Sequence, residues 1–211
     1  MTIISNITTR GMQRLKETYQ YVFLGILAAV TGSFLGLPFA VSLTGFGFWG
    51  FVILEFGVLF WFMFRPMMTN YIIFTALTGL TLVPILSTLL GIGAGHVILQ
   101  ALIGTSVIVA GLTHYATTTD KDFLGMGQVL MYILIGIIIV SFINIFFIGS
   151  SILSLGISIG TMILFSFFII MDTQEVIKTD IDPLLAAMNL YLDILNMFTS
   201  LLHIFMSIDE D

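Results

Sequence analysis

The sequence predicts an all-α integral membrane protein, a bundle of seven transmembrane helices, and three observations carry that prediction. Of its 211 residues, 58% are hydrophobic and only 9% are charged, whereas a soluble domain carries about a quarter of its residues as charges. The apolar residues gather into runs of roughly 20, the length a helix needs to cross a hydrocarbon core about 30 Å thick. The third observation is the placement of the six lysines and arginines, which fall on one side of the membrane when the runs are counted as seven spans.

The first run covers residues 19–37. A stretch containing glycine and proline separates it from the second, residues 46–64, which Arg65-Pro66 closes, because proline cannot continue a helix and bends the residue before it away from helical geometry. The third run, residues 71–90, ends at Gly91, Gly93 and Gly95, and the fourth covers residues 96–115. Polar residues 116–122 follow. The fifth and sixth runs, residues 127–147 and 151–171, are joined by so short a turn that they must be antiparallel neighbours. Polar residues 173–183 lead into the seventh, residues 184–205. The chain therefore divides into a tail (1–18), a membrane domain (19–206) and an acidic tail (207–211). Gly32/Gly36 and Gly156/Gly160 have the four-residue spacing that lets helix backbones approach closely, and they read as packing positions.

Arg10, Arg14 and Lys16 precede the first span, Arg65 follows the second, Lys121 the fourth and Lys178 the sixth. Basic residues favour cytoplasmic loops, so the N-terminus is expected in the cytoplasm and Asp209-Glu210-Asp211 outside. A re-entrant last segment, returning that tail to the cytoplasm, is the alternative topology. The N-terminus has no small-residue cleavage pattern and reads as retained. With the short loops, this points to a bacterial plasma (inner) membrane.

Several function classes drop out. Cysteine is absent, which excludes disulfides, cysteine-held metal centres and thiol nucleophiles. A formal net charge of −6 offers no basic stripe for nucleic acid. No phosphate-binding loop, HExxH or dinucleotide fingerprint is present, so neither a cofactor nor an enzymatic activity is expected. The lipid bilayer is the evident partner.

An ionisable side chain inside a membrane costs roughly 2.5–3.5 kcal/mol at a helix centre and needs a partner or a watery cavity. The candidates are Glu55, Arg65, Asp172, Asp193 and the histidines His96, His114 and His203. Asp193 lies about nine residues into its helix, roughly 13 Å deep at 1.5 Å per residue. Asp172 lies just past the sixth apolar run, and it reaches the same depth only if that helix continues toward Lys178. Two carboxyls brought together there cannot both ionise cheaply, so they would share a proton and serve as a proton sensor. Arg65, on the same side, is a candidate counter-charge. The alternative is two separate structural acids. Glu55, near mid-membrane, either lines an ion path or is a neutral acid bonded to a hydroxyl or carbonyl. The histidines read as interfacial residues.

Two catalytic patterns match in letters only. Gly156-Ile157-Ser158-Ile159-Gly160 spells a nucleophile elbow, but that motif works at a strained strand-to-helix turn; here it lies in an apolar helix, with His203 as the one candidate base. Paired aspartates also occur in intramembrane aspartyl proteases, yet the Gly-x-Gly-Asp motif is replaced by Tyr191-Leu192-Asp193.

Around the aspartates the sequence resembles the Bax inhibitor-1 family, also called the transmembrane Bax inhibitor motif family. Met171-Asp172-Thr173-Gln174-Glu175-Val176-Ile177 is similar to its aromatic-Asp-Thr-Gln stretch, and residues 187–198, running from Ala187 through Asp193 to Phe198, are similar to its final-helix signature. The region of Asp122-Phe123 matches more loosely. The resemblance implies a seven-helix fold with a central C-terminal helix and a pH-sensitive pair at Asp172 and Asp193. It further implies an arginine latch at Arg65, an acid at Glu55 on the same helix, and calcium leak across the membrane. Calcium is then the transported or bound species, with Asp172 and Asp193 as its possible contacts, and acid is expected to open the path by releasing Arg65. Met171 departs from the pattern, since an aromatic residue is usual there. Some bacterial relatives act instead on a membrane-anchored AAA protease, so a non-conducting regulator of another membrane complex is the alternative function. An intramembrane aspartyl protease is a third.

Overall fold

Where the polar interruptions fall, the helices end. The structure, a computed structural model, describes the backbone of residues 2–40 and 46–209, with side chains from residue 9 onward and again from residue 47. Residues 41–45 of the first link, and Glu210 and Asp211 of the acidic tail, lie outside the described residues. Among the described residues, seven helices are long and apolar enough to cross a membrane. They are α1 (Thr2–Gly36), α2 (Phe46–Phe64), α3 (Met68–Gly91), α4 (Gly95–Thr118), α5 (Gly127–Ile143), α6 (Ser151–Lys178) and α7 (Pro183–Asp209).

Most helices run a few residues past the ends read off hydropathy, α1 and α6 furthest. α1 begins at Thr2, so the polar segment before the first apolar run is helical. α5 continues into a π-helical turn, Asn144–Ile148. α6 runs to Lys178, seven residues past Met171, where its continuous apolar run ends; hydropathy marks where a helix leaves hydrocarbon, not where its backbone bonds stop.

Among its described side chains, the buried residues of α1 are Gly11, Leu15, Thr18, Val22, Gly25, Gly32 and Gly36, with half-buried Ala29 completing the series. Steps of four and three alternate through it, the period of a left-handed helix seam. Most members are small, so the seam brings backbones together.

The described chain forms two bodies. One contains α1 from Arg14, then α2, α3 and the first turns of α7 through Tyr191. Its tightest crossing is between α1 and α3. A side chain at Gly32 would overlap the backbone carbonyl of Ala76, and one at Gly79 would overlap that of Ala29. The Ser33 hydroxyl donates to the Gly79 carbonyl at 2.9 Å. Farther along, Tyr71 donates to the Tyr21 carbonyl at 3.0 Å. Tyr191 meets the Thr78 hydroxyl, placing the start of α7 against α3.

The other body contains the beginning of α1, α4 to α6, and α7 from Leu192. The α5–α6 turn is held by Asn144, only 2% exposed. Its amide donates to the Ser154 hydroxyl at 2.8 Å and to the Ser150 carbonyl at 3.2 Å, and its oxygen accepts from the Ser150 N–H at 3.0 Å. Gly149 at φ +66° completes the turn, a left-handed conformation that glycine adopts without penalty. Gly156 and Gly160 are not packing positions within the chain. A side chain at Gly156 would meet nothing within 4 Å, and one at Gly160 only the tip of Ile137 at 4.0 Å. Gly32, by contrast, packs as its spacing implies.

α7 is the most enclosed span, with 39% of its apolar window buried against 11–33% in the other six. Large apolar side chains such as Phe56, Phe60, Ile138 and Ile152 are exposed on the other helices, the surface expected toward lipid.

Candidate functional site

The excess length of α6 is what makes the site. Because the helix does not stop at Met171, Asp172 is held in regular helical geometry six residues before Lys178, roughly 9 Å from the end at 1.5 Å per residue. Asp193 lies ten residues beyond Pro183, the start of α7, which is roughly 15 Å along the axis. Both belong to the same body. Their carboxyls are hydrogen-bonded to each other, and they are 6% and 5% exposed.

A hydrogen bond between two carboxyls requires a proton between them, since two carboxylates offer only acceptors. Asp193 Oδ2 is fully enclosed and accepts from no amide, hydroxyl or basic group, and the hydroxyl of Thr173, next to Asp172 in the sequence, is enclosed without a partner. The pair therefore retains hydrogen-bonding capacity that the protein itself does not fill. Among the described residues no three His, Cys, Asp or Glu side chains gather as a metal-binding group.

Gln174, two residues on, enters the sequence reading only as part of the Asp-Thr-Gln stretch, with no role of its own. Its side chain is 1% exposed. The nitrogen donates to the carbonyls of Lys121 at 2.8 Å and Ala116 at 3.4 Å. The oxygen accepts from the Phe123 N–H at 2.9 Å and from Lys178 Nζ at 3.0 Å. Lys178 also pairs with Asp122 at 2.9 Å. That hydrogen bond, with a second from the Leu124 N–H, holds the Asp122 carboxyl below the ordinary carboxylate range. The available signal was a lone amide in the polar extension of an apolar helix, with a lysine one turn later.

Glu55 and Arg65 belong to the first body. Glu55 is half-buried and lies near the Thr81 side chain of α3. Arg65 is exposed at the bend after α2, where its carbonyl accepts from the Asn70 amide at 3.0 Å. Thr75, Thr78 and Thr81 recur every three residues down α3. Thr78 donates to the Thr75 carbonyl at 2.7 Å and Thr81 to that of Thr78 at 2.9 Å. Sequence reasoning passed over this stripe, because threonines in an apolar helix are usually satisfied by their own backbone.

The remaining candidates separate cleanly. His96, at the start of α4, pairs with Asp209 at the end of α7 at 2.9 Å, with about half of each side chain exposed. His114 and His203 are exposed. Ser158 donates to the Ser154 carbonyl at 3.0 Å inside α6, an ordinary helical arrangement and not a strained nucleophile turn.

Seven apolar helices and a buried pair of acids define an integral membrane protein with an ionisable element in its interior. Residues 11–210 match the model of the family described as "Inhibitor of apoptosis-promoting Bax1", and the chain belongs to that family. It is 40% identical to an uncharacterised protein of Campylobacter jejuni over 206 residues, covering 93% of this chain and 89% of that one. An uncharacterised protein of Helicobacter pylori is 36% identical over 195 residues, with 90% and 84% covered. An uncharacterised membrane protein of Vibrio cholerae is 37% identical over 134 residues, with 63% and 60% covered.

Proposed function

We propose that the protein is a pH-regulated leak path for calcium, with Asp172 and Asp193 as its proton-sensing element. The observation that carries this reading is the hydrogen bond between two nearly enclosed carboxyls on different helices. Such a bond exists only while the pair holds a proton. Losing it leaves two negative charges in contact in a low-dielectric site, which calls for a counter-charge that reprotonation releases. Calcium suits oxygen ligands of this kind, and it is the cargo of the path, not a resident metal. Arg65 is assigned the counter-charge and Glu55 a place on the path, both on the family resemblance; acid then opens the path by releasing Arg65. The distribution of basic residues supports a plasma membrane location, bacterial like the relatives, with a cytoplasmic N-terminus and an outward C-terminus.

The test is calcium flux into dye-loaded proteoliposomes across a pH series. Asp172→Asn and Asp193→Asn should each abolish the pH dependence, whereas wild-type pH dependence in both variants removes the sensor. Purified protein that passes no calcium at any pH, and instead co-purifies with a membrane-anchored protease, establishes the non-conducting regulator in its place.

A further inference from the structure

We infer that Gln174 is a positioning residue for the carboxyl pair, tying α6 to the α4–α5 loop at the rotation that presents Asp172 to Asp193. The inference rests on the reading of that pair as the proton-sensing element, and it assigns the loop a part in its regulation.

An amide side chain has two donor hydrogens and two acceptor lone pairs. Gln174 uses all four, on the carbonyls of Ala116 and Lys121, the N–H of Phe123 and the ammonium of Lys178. Three of these partners are backbone groups outside α6, Ala116 in the last turn of α4 and Lys121 and Phe123 in the loop after it. The tie therefore reads the course of the loop and not its side chains. Other polar residues of α6, such as Ser158 and Ser166, donate to carbonyls of their own helix. Gln174 is fully enclosed, so breaking its contacts strands buried donors and acceptors.

The geometry links this tie to the acid. Residues two apart in an α-helix are separated by about 200° around the axis, so Gln174 and Asp172 lie on opposite sides of α6. Turning or sliding α6 far enough to withdraw Asp172 from Asp193 shears the bonds on the other side. Lys178 falls one turn after Gln174, on the same face, and extends the tie to Asp122. Asp172 faces Asp193 from α7 and Glu175 from its own helix; Gln174 faces Lys178, which Asp122 of the loop approaches from outside.

Two measurements on the full-length protein in lipid nanodiscs and proteoliposomes test this. The first leaves Gln174 intact. Coupling between two sites is reciprocal, so the hydrogen-exchange protection of the Phe123 amide, corrected for intrinsic exchange, should change with pH in the wild type. In Asp193→Asn it should be independent of pH. Protection indifferent to both pH and the substitution overturns the inference. The second is the flux profile of Gln174→Met, whose pH midpoint should move by ~0.5 unit or more, the net contribution of one hydrogen bond expressed as proton affinity. An unmoved midpoint in folded Gln174→Met also overturns it. If Gln174→Met does not fold, the exchange experiment decides alone. Absence of flux at any pH sinks the leak reading but leaves the exchange result to judge Gln174.

Discussion

Replacing Asp193 by asparagine or by alanine separates what the carboxyl does as a hydrogen-bond partner from what it does as a titrating group. In Asp193→Asn the amide nitrogen takes the place of the shared proton and donates to Asp172 at every pH. The amide has the shape of the carboxyl, so the packing around it is kept. Stability should stay within ~0.5 kcal/mol of the wild type, the ordinary range for a change that preserves contacts. Asp193→Ala removes the partner and leaves the Asp172 carboxyl, 6% exposed, unpaired. That costs on the order of 1–3 kcal/mol, or about 5 °C in melting temperature for a chain of this size. The assay is thermal unfolding in detergent across a pH series, followed by the fluorescence of Trp49 and Trp61. The asparagine variant should melt near the wild type with a flatter dependence on pH, and the alanine variant should melt lower. Equal losses in the two variants would refute the idea that the bond to Asp172 is what Asp193 contributes to the fold.

Two further outcomes follow from the geometry. Gly79→Ala should destabilise by ~1–3 kcal/mol, because the new methyl meets the Ala29 backbone, which cannot step aside; Gly111→Ala, with open space around it, should be neutral or slightly stabilising as a better helix former, and the contrast is read by the same melts. The Asp122 carboxyl is held below its usual range first by its hydrogen bond to Lys178, so its contribution is fully present above the ordinary carboxylate range and is lost as pH falls through the lowered value. Lys178→Met should return Asp122 toward that ordinary range, as read by carboxyl-carbon NMR titration.

The span count was legible because membrane helices must be apolar for about 20 residues whatever they do. The polar ends of helices were not, because beyond the hydrocarbon a helix can continue without apolar residues. That is why Asp172 appeared as a helix-end residue of uncertain depth, while Asp193, deep in its own apolar run, could be placed directly. The same limit hid Gln174, whose importance depends on loop carbonyls that no spacing rule predicts. The small-residue seam of α1 was present in the sequence as a strict alternation of four and three. Glycine pairs four apart obscure it, because Gly156 and Gly160 satisfy that simpler pattern without a close neighbour, whereas the seam at α1 mixes glycine with leucine, threonine, valine and alanine.

Met171, the one departure from the family pattern beside the pair, has a structural counterpart. It stands against Gly127 at the start of α5, where an added methyl would come within 3.3 Å of the Met171 sulfur and 3.8 Å of its terminal carbon. Those are the far atoms of a flexible thioether, a side chain that adapts to irregular space. Gly127→Ala alone should therefore cost less than ~1 kcal/mol, because Met171 can swing aside. Met171→Phe alone restores an aromatic residue next to a glycine with no side chain to obstruct it, and should stay within ~1.5 kcal/mol, as size-conserving apolar exchanges do. Together they are incompatible, since a rigid ring cannot yield to the new methyl. The double variant should be less stable than the sum of the two by ~1 kcal/mol or more, the coupling expected of residues in contact. Additivity in thermal melts would mean that the sulfur does not fill the space over Gly127, and that the methionine must be explained without reference to α5.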